Sequence, residues 1–182
     1  MDQLFNMKTL KKLLFVLAVF IAIPLVIALF MPQDTHVQRE VIIQKPLPEV
    51  FDYLRMLKNQ DNYGKWNLAD PNMKKSYSGV DGQVGFVYAW ESEEMGTGEQ
   101  EITHIEEGKR IESELRFLKP FKMINKCSFE TESMGENQTR VIWSFRSHAR
   151  YPLNIMNVLF DAEKMIGADY EEGLANLKKE LE

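Results

Sequence analysis

The stretches "QTRVIWSFRSHA" (138–149) and "EKMIGADYEEGLANLKKELE" (163–182) decide the fold. In the first, apolar side chains alternate with polar ones, which is typical of a β-strand with one buried face. In the second, apolar residues recur at helical spacing, and this spacing begins near Pro152. The helix carries two interior glycines, Gly167 and Gly173, each costing about 1 kcal/mol of helix propensity relative to alanine. We expect them either to permit close packing or to leave room for a pocket.

Period-two alternation also fills the eighty or so residues before that helix. Five further strands are predicted there, "MKKSYSGV" (73–80), "VGFVYAWES" (84–92), "GTGEQEITHIEE" (96–107), "KRIESELRFLK" (109–119) and "KMINKCSFETES" (122–133). The breaks between them are short and rich in Gly, Pro, Asp and Asn, which favours hairpins and antiparallel neighbours.

One more strand, "VQREVIIQ" (37–44), comes first and is followed by two short helical stretches, 46–57 and 59–66. Strands in series with helices at either end predict an α+β domain. We therefore expect a curved, seven-stranded antiparallel sheet around a long C-terminal helix, with two short helices after the first strand. An imperfect fit between the sheet and that helix would leave a cavity.

The N-terminal region contains "LLFVLAVFIAIPLVIALFM" (13–31), nineteen residues without a charge. At about 1.5 Å per residue this run nearly spans a hydrocarbon core of about 30 Å. A cleaved signal peptide is the alternative, but its apolar region is usually shorter, and no clean cleavage site follows. We expect a retained anchor.

Three lysines, Lys8, Lys11 and Lys12, precede the apolar run, and no basic residue lies in 32–38. The positive-inside rule then predicts a cytoplasmic N-terminus with the domain outside the cytoplasm, periplasmic or extracellular. The expected division is a cytoplasmic tail (1–12), a transmembrane helix (13–31), a linker (32–36) and the folded domain (37–182).

The charge balance limits the partners. The chain has 22 basic and 27 acidic residues, a net charge of −5. Nucleic acid demands a basic surface and is therefore excluded as the expected partner. The same acidity disfavours electrostatic docking on anionic lipids. The lone cysteine, Cys127, cannot form an internal disulfide, so the fold must depend on its core.

Several motifs in this order resemble those of the START-like helix-grip superfamily (SRPBCC), in particular its polyketide cyclase, dehydrase and lipid transport group. They are "DPNMKKSYSG" (70–79), "VGFVYAW" (84–90), "GTGEQEIT" (96–103), "FLKPF" (117–121) and "EKMIGADYEEGLANLK" (163–178). The resemblance covers residues 37–182. It implies a seven-stranded sheet that grips the C-terminal helix around an apolar, ligand-sized pocket, and it implies no particular reaction.

Strand alternation predicts which side chains face the pocket. The inward set is mostly apolar and aromatic with a few polar groups, the usual composition of a small-molecule site. A solid core with satisfied polar groups is the alternative. The candidate ligand-binding residues are Tyr88, Trp90, Gln100, Phe117, Asn125, Trp143 and Met165.

No catalytic residue is predicted. The three histidines, His36, His104 and His148, lack the spacing of a metal site, so no metal is expected. Cys127 is expected to face inward and to be inert. No glycine loop typical of phosphate binding is visible, and no cofactor is expected.

Three hypotheses remain for the function. The favoured one is a membrane-anchored module that binds a hydrophobic small molecule or lipid in its pocket. The second is a cyclase- or hydratase-like enzyme in which Tyr88, Gln100 or Asn125 polarises a substrate. The third is a pocket-free domain that contacts another envelope protein, whose identity the sequence leaves open.

Overall fold

The computed structural model describes residues 7–120 and 122–182, apart from the side chain of Lys8. Within these residues the helices are α1 (Met7–Ala28), α2 (Leu47–Arg55), α3 (Gln60–Tyr63), α4 (Lys65–Ala69), α5 (Ile155–Leu159) and α6 (Ala162–Leu181), with a 3-10 turn at Leu57–Asn59. The strands are β1 (Asp34–Ile43), β2 (Lys74–Ser78), β3 (Val87–Ser92), β4 (Gly96–Glu106), β5 (Arg110–Lys119), β6 (Met123–Gly135) and β7 (Gln138–His148).

The seven strands form one antiparallel sheet in the order β1-β7-β6-β5-β4-β3-β2. Strands β2 to β7 are therefore neighbours in chain order, as the short turns predict, and β1 adds to the free edge of β7. The sheet curves around α6, so the predicted α+β helix-grip architecture is confirmed. The register shifts between Thr97 and Gly98 and again between Ile102 and His104, which marks irregularities in β4.

The first helical region after β1 forms because Pro46 precedes α2 and a further proline lies in its first turn, where a missing N–H costs nothing. Val50, Phe51 and Leu54 then share one buried face of α2. The second predicted stretch is divided into the 3-10 turn, α3 and α4, and Tyr63 of α3 is fully buried. These short helices lie beside α6 and extend the cover over the concave face.

The C-terminal region differs from the prediction of a single long helix. Helix α5 ends at Leu159, and α6 begins at Ala162. Asp161 between them has a left-handed backbone, φ 44°, and its carboxylate accepts a hydrogen bond from the Lys164 N–H at 3.4 Å. Aspartate tolerates this conformation and caps a helix start. The apolar spacing runs through the break, so periodicity could not detect it.

Helix α6 is held on the sheet by aromatic packing. Trp143 of β7 stacks against Tyr170 of α6 with ring centroids 4.0 Å apart and against Phe129 of β6 at 4.8 Å. All three rings are at least nine-tenths buried. Such offset pairs add about 0.5–1.5 kcal/mol each beyond the area they bury. This part of the concave face is therefore solid core.

Arg39 of β1 contacts Gly167, one of the two interior glycines of α6. Its guanidinium lies against Gly167 and donates to Glu171 at 2.5 Å and to Glu163 at 2.9 Å. A side chain at position 167 would overlap that guanidinium. Gly167 thus permits the close approach of α6 to the edge strand, which is the packing explanation of the two that the sequence left open.

Helix α1 stands outside the domain core. Its segment Thr9–Ala28 is long and apolar enough to cross a membrane, a property that anchors share with signal sequences. Strand β1 begins at Asp34, inside the stretch expected to be a linker, so only a few residues separate it from α1. The buried side chain of Asn154 donates to the Ala28 carbonyl at 2.7 Å and to the Met31 carbonyl at 2.9 Å.

Candidate ligand-binding site

Two rows of inward-facing side chains cross the sheet at the end nearest α1. Strand pairing aligns Trp90, Gly98, Phe117 and Met123 in the first row. It aligns Tyr88, Gln100, Leu115, Asn125 and Ser147 in the second. Five of the seven candidate residues lie in these two rows, and Trp143 of β7 shares their face of the sheet.

The helices cover this end of the concave face incompletely. Side chains farther along the sheet, such as Phe129, Ile111 and Val141, are fully buried. By contrast, the two rows include partly or largely exposed residues: Trp90, Gln100, Leu115, Phe117, Met123 and Ser147. We call these six residues, together with Asn125, the open end of the grip. It is apolar in the main, with three polar side chains.

Trp90 and Phe117 form the apolar part of this surface. Their rings meet edge to face with centroids 5.8 Å apart. The Trp90 indole lies over Gly98 on the neighbouring strand, where a Cβ would come within 2.6 Å of its ring atom Cη2. Sequence reasoning missed Gly98, although its inward parity with Gln100 was a usable signal.

Asn125 is the most unusual residue of the open end. Its side chain is 2% exposed, and neither the amide nitrogen nor the amide oxygen has a hydrogen-bond partner among the described residues. Leaving a buried polar group unpaired costs about 1–3 kcal/mol. A buried amide with both a free donor and a free acceptor can bind a polar group of a ligand.

The other two polar candidates already have partners in the protein. Gln100 donates to the Ser113 hydroxyl at 2.9 Å. Tyr88 is buried and donates to the Asp61 carboxylate of α3 at 2.6 Å. Burial, followed by the hydrogen bond to Asp61, raises the pKa of Tyr88 well above its usual range. Tyr88 is therefore a fixed, neutral part of the wall.

The Asp61 carboxylate oxygen that Tyr88 contacts also accepts from Asn67 at 2.9 Å and pairs with Lys75 at 2.9 Å. The group ties α3 and α4 to β2 and β3 beside the second row. Sequence reasoning missed Asp61 because a helix of four residues carries no periodic signal.

The structure separates the two remaining candidates from the open end. Trp143 lies between Tyr170 and Phe129 in the packed core and is 5% exposed. Met165 on α6 is 55% exposed. The four candidates that come together at the open end are Trp90, Gln100, Phe117 and Asn125.

Reactive groups do not converge at the open end. Cys127 is buried in the adjoining core, 3.7 Å from the Tyr170 hydroxyl, and burial raises the pKa of its thiol to about 11. His148 faces Asp34 at 2.8 Å near the end of β7 and is exposed. Among the described residues, no three His, Cys, Asp or Glu side chains are placed to hold a metal ion.

The family described as polyketide cyclase / dehydrase and lipid transport matches residues 34–182. No curated protein matches the chain. Solved structures share its fold at low identity. The hypothetical protein jhp0584 from Helicobacter pylori has 15% identity and a TM-score of 0.61, over 81% of this chain and 88% of that one.

Two further solved structures share the fold. Aha1 from Colwellia psychrerythraea has 19% identity and a TM-score of 0.56, over 81% of this chain and 96% of that one. DynU16, a protein of the dynemicin biosynthetic locus, has 13% identity and a TM-score of 0.55. The match covers 79% of this chain but 46% of DynU16. At such identities these likenesses establish the fold alone.

Proposed function

Because the chain belongs to the polyketide cyclase / dehydrase and lipid transport family, we propose that it is a membrane-anchored module that binds a lipid-like small molecule at the open end of the grip. The ligand lies on Trp90 and Phe117, with Leu115 and Met123 beside it. Methionine suits such a wall because its flexible thioether adapts to irregular apolar shapes.

The observation that carries this proposal is the unpaired amide of Asn125. A protein retains a buried, unsatisfied polar group at a cost, and a bound partner such as a ligand or an ordered water is one reason for such an exception. The amide supplies one donor and one acceptor at the floor of an apolar surface. The ligand is therefore an amphiphile with a hydrogen-bonding group, such as a carboxyl, ester or hydroxyl, rather than a pure hydrocarbon.

The anchor supplies the second half of the proposal. Helix α1 crosses the membrane within residues 13–31, with residues 1–12 in the cytoplasm and the domain outside it. The support is the length and apolar composition of α1 and the three lysines that precede its apolar run. Tethering raises the local concentration of a membrane-derived ligand, so modest affinity suffices.

Native mass spectrometry of the full chain tests the proposal. The protein is extracted from its own membrane into lipid nanodiscs, released in the spectrometer and compared with Phe117→Ala. Met134→Ala, an exposed methionine near the opposite end of β6, is the matched control. We expect the wild type and the control to carry an added mass that organic solvent extracts, and Phe117→Ala to lose it. The proposal is contradicted if the wild type carries no added mass, or if Phe117→Ala retains it.

A further inference from the structure

Exposed apolar residues gather at the end of the domain next to α1. They come from two segments, the β5–β6 hairpin region (118–124) and the segment between β7 and α6 (149–160). Antiparallel pairing brings the segments to the same end of the sheet, because β6 begins and β7 ends there. We call their exposed apolar side chains the collar: Leu118, Met123, Ile124, Tyr151, Leu153, Met156, Val158, Leu159 and Phe160, each 43–68% exposed.

Asn154 fixes the second segment to the end of α1. Its amide is fully buried and donates to the carbonyls of Ala28 and Met31. Carbonyls at a helix C-terminus have no partner within the helix, so this side chain completes the end of α1. The collar residues Val158, Leu159 and Phe160 are therefore only a few residues from a contact with α1 itself.

The length of α1 sets the depth of the collar in a membrane. Its apolar part, residues 13–28, extends over about 24 Å at 1.5 Å per residue, slightly less than the thickness of the hydrocarbon core. When α1 spans the bilayer, its C-terminal end lies at the interface. The segment 149–160, which Asn154 holds beside the C-terminal end of α1, therefore also lies at the interface. If the collar did not enter the bilayer, its nine apolar side chains would remain exposed to water at the level of the headgroups.

The charges of the two segments suit a phospholipid surface. Residues 118–124 and 149–160 contain Lys119, Lys122 and Arg150 and no acidic residue, in a chain whose net charge is −5. Basic side chains beside apolar ones bind lipid phosphates while their stems remain in the apolar layer. Tyr151 fits the same interface. The overall acidity disfavours electrostatic docking on anionic lipids, whereas the two collar segments carry only basic charges.

We infer that the collar is a docking surface for the phospholipid bilayer that contains α1. Phe117 of the open end directly precedes the segment 118–124, and Met123 belongs to both the open end and the collar, so docking turns the open end toward the membrane. A lipid-like ligand then passes between bilayer and grip without crossing water. This inference rests on the proposed anchor and ligand, and the test below separates it from them.

The test uses the full chain in vesicles of phosphatidylcholine and phosphatidylglycerol. An environment-sensitive nitrobenzoxadiazole label is attached at Leu159→Cys or Ile124→Cys, one in each collar segment and both outside the open end. Met134→Cys, 52% exposed near the opposite end of the sheet, is the matched control, and Val19→Cys in α1 reports the anchor. The unsubstituted chain gives the background from the buried Cys127. Quenching is compared between nitroxide-labelled acyl chains and iodide in the water.

We expect the Leu159 and Ile124 labels to be blue-shifted and quenched several-fold more by the lipid nitroxide than the Met134 label. Equal, iodide-sensitive behaviour of the collar and Met134 labels, with Val19 quenched by lipid, overturns the collar while leaving the anchor intact. Shielding from both quenchers means that a second copy of the chain covers the collar, which also overturns the inference. A Val19 label quenched by iodide removes the anchor, and the inference falls with it.

Discussion

Gly173 of α6 lies directly against the indole of Trp143: a Cβ built at position 173 would be 2.8 Å from the ring atom Cζ3. The indole is fixed between Tyr170 and Phe129 and has no free direction in which to move. The absence of a side chain at Gly173 therefore allows α6 to pack closely on the aromatic stack. The concave face of the sheet therefore has two parts: a packed half under Gly173 and the open end near α1.

Gly173→Ala is expected to destabilise the domain by about 1–3 kcal/mol through overpacking. Gly167→Ala is the matched comparison, because the atoms it meets are the flexible end of Arg39. We expect its cost to be smaller. Urea unfolding of the domain, followed by tryptophan fluorescence, measures both. A larger loss for Gly167→Ala would show that the edge contact, rather than the aromatic stack, fixes the helix.

Truncation of two aromatic residues should separate stability from binding. Trp143→Ala removes the centre of the buried stack, and we expect a loss of about 3–5 kcal/mol. Phe117→Ala, at the partly exposed open end, should cost less stability but weaken uptake of a fluorescent fatty acid. Unfolding and probe titration are measured on the same preparations. The reverse pattern would place the ligand in the half of the face that the structure fills with rings.

The Cys127 thiol should resist modification. Burial raises its pKa to about 11, so the reactive thiolate is scarce at pH 8. An unfolded thiol titrates near its ordinary value of about 8.5. The stability associated with the neutral thiol is therefore complete below that pH and falls as the pH rises from there towards 11. We expect reaction with a thiol reagent at pH 8 to be far slower in buffer than in urea; equal rates would mean that the core opens readily.

Reporter fusions after Glu182 test the orientation of the anchor. Three lysines before the apolar run 13–31 predict export of the domain. Alkaline phosphatase, which is active only outside the cytoplasm, should be active in the fusion, and β-galactosidase at the same position should be inactive. The opposite pair of results would place the domain in the cytoplasm.

The sheet could be predicted well from the sequence because strands and tight turns depend mainly on residues that are neighbours in the chain. Apolar and polar residues alternate along most of the strands, and glycines such as Gly82 and Gly108 adopt the positive φ that tight turns require. The inward parity of Trp90, Phe117 and Asn125 followed from the same alternation. The break at Asp161 was not predicted, because one residue in a left-handed conformation leaves the apolar spacing on either side unchanged.

The site was harder to predict because strand alternation shows which face of the sheet a side chain lies on, but not which residues of other elements cover it. Trp143 and Phe117 share the inner face, yet Tyr170 covers the first and leaves the second partly exposed. That difference depends on where α6 crosses the sheet, which is a tertiary property. The unpaired state of Asn125 is equally tertiary, since an asparagine on an inward face is ordinarily paired.

The most direct test of the account is Asn125→Leu, studied by urea unfolding and by titration with a fluorescent fatty acid on the domain without α1. Thr131→Val on the same strand is the control, because Thr131 is equally buried but donates to the Gly108 carbonyl at 3.1 Å. For Thr131→Val we expect reduced stability and unchanged binding.

For Asn125→Leu the account predicts that the free energy of unfolding without ligand stays the same or increases, since an unpaired buried amide is removed. Affinity for the probe should fall by about tenfold, the equivalent of one hydrogen bond of about 1.4 kcal/mol. Unchanged affinity, together with a loss of stability as large as that of Thr131→Val, would show that Asn125 belongs to the core and would contradict the proposed site.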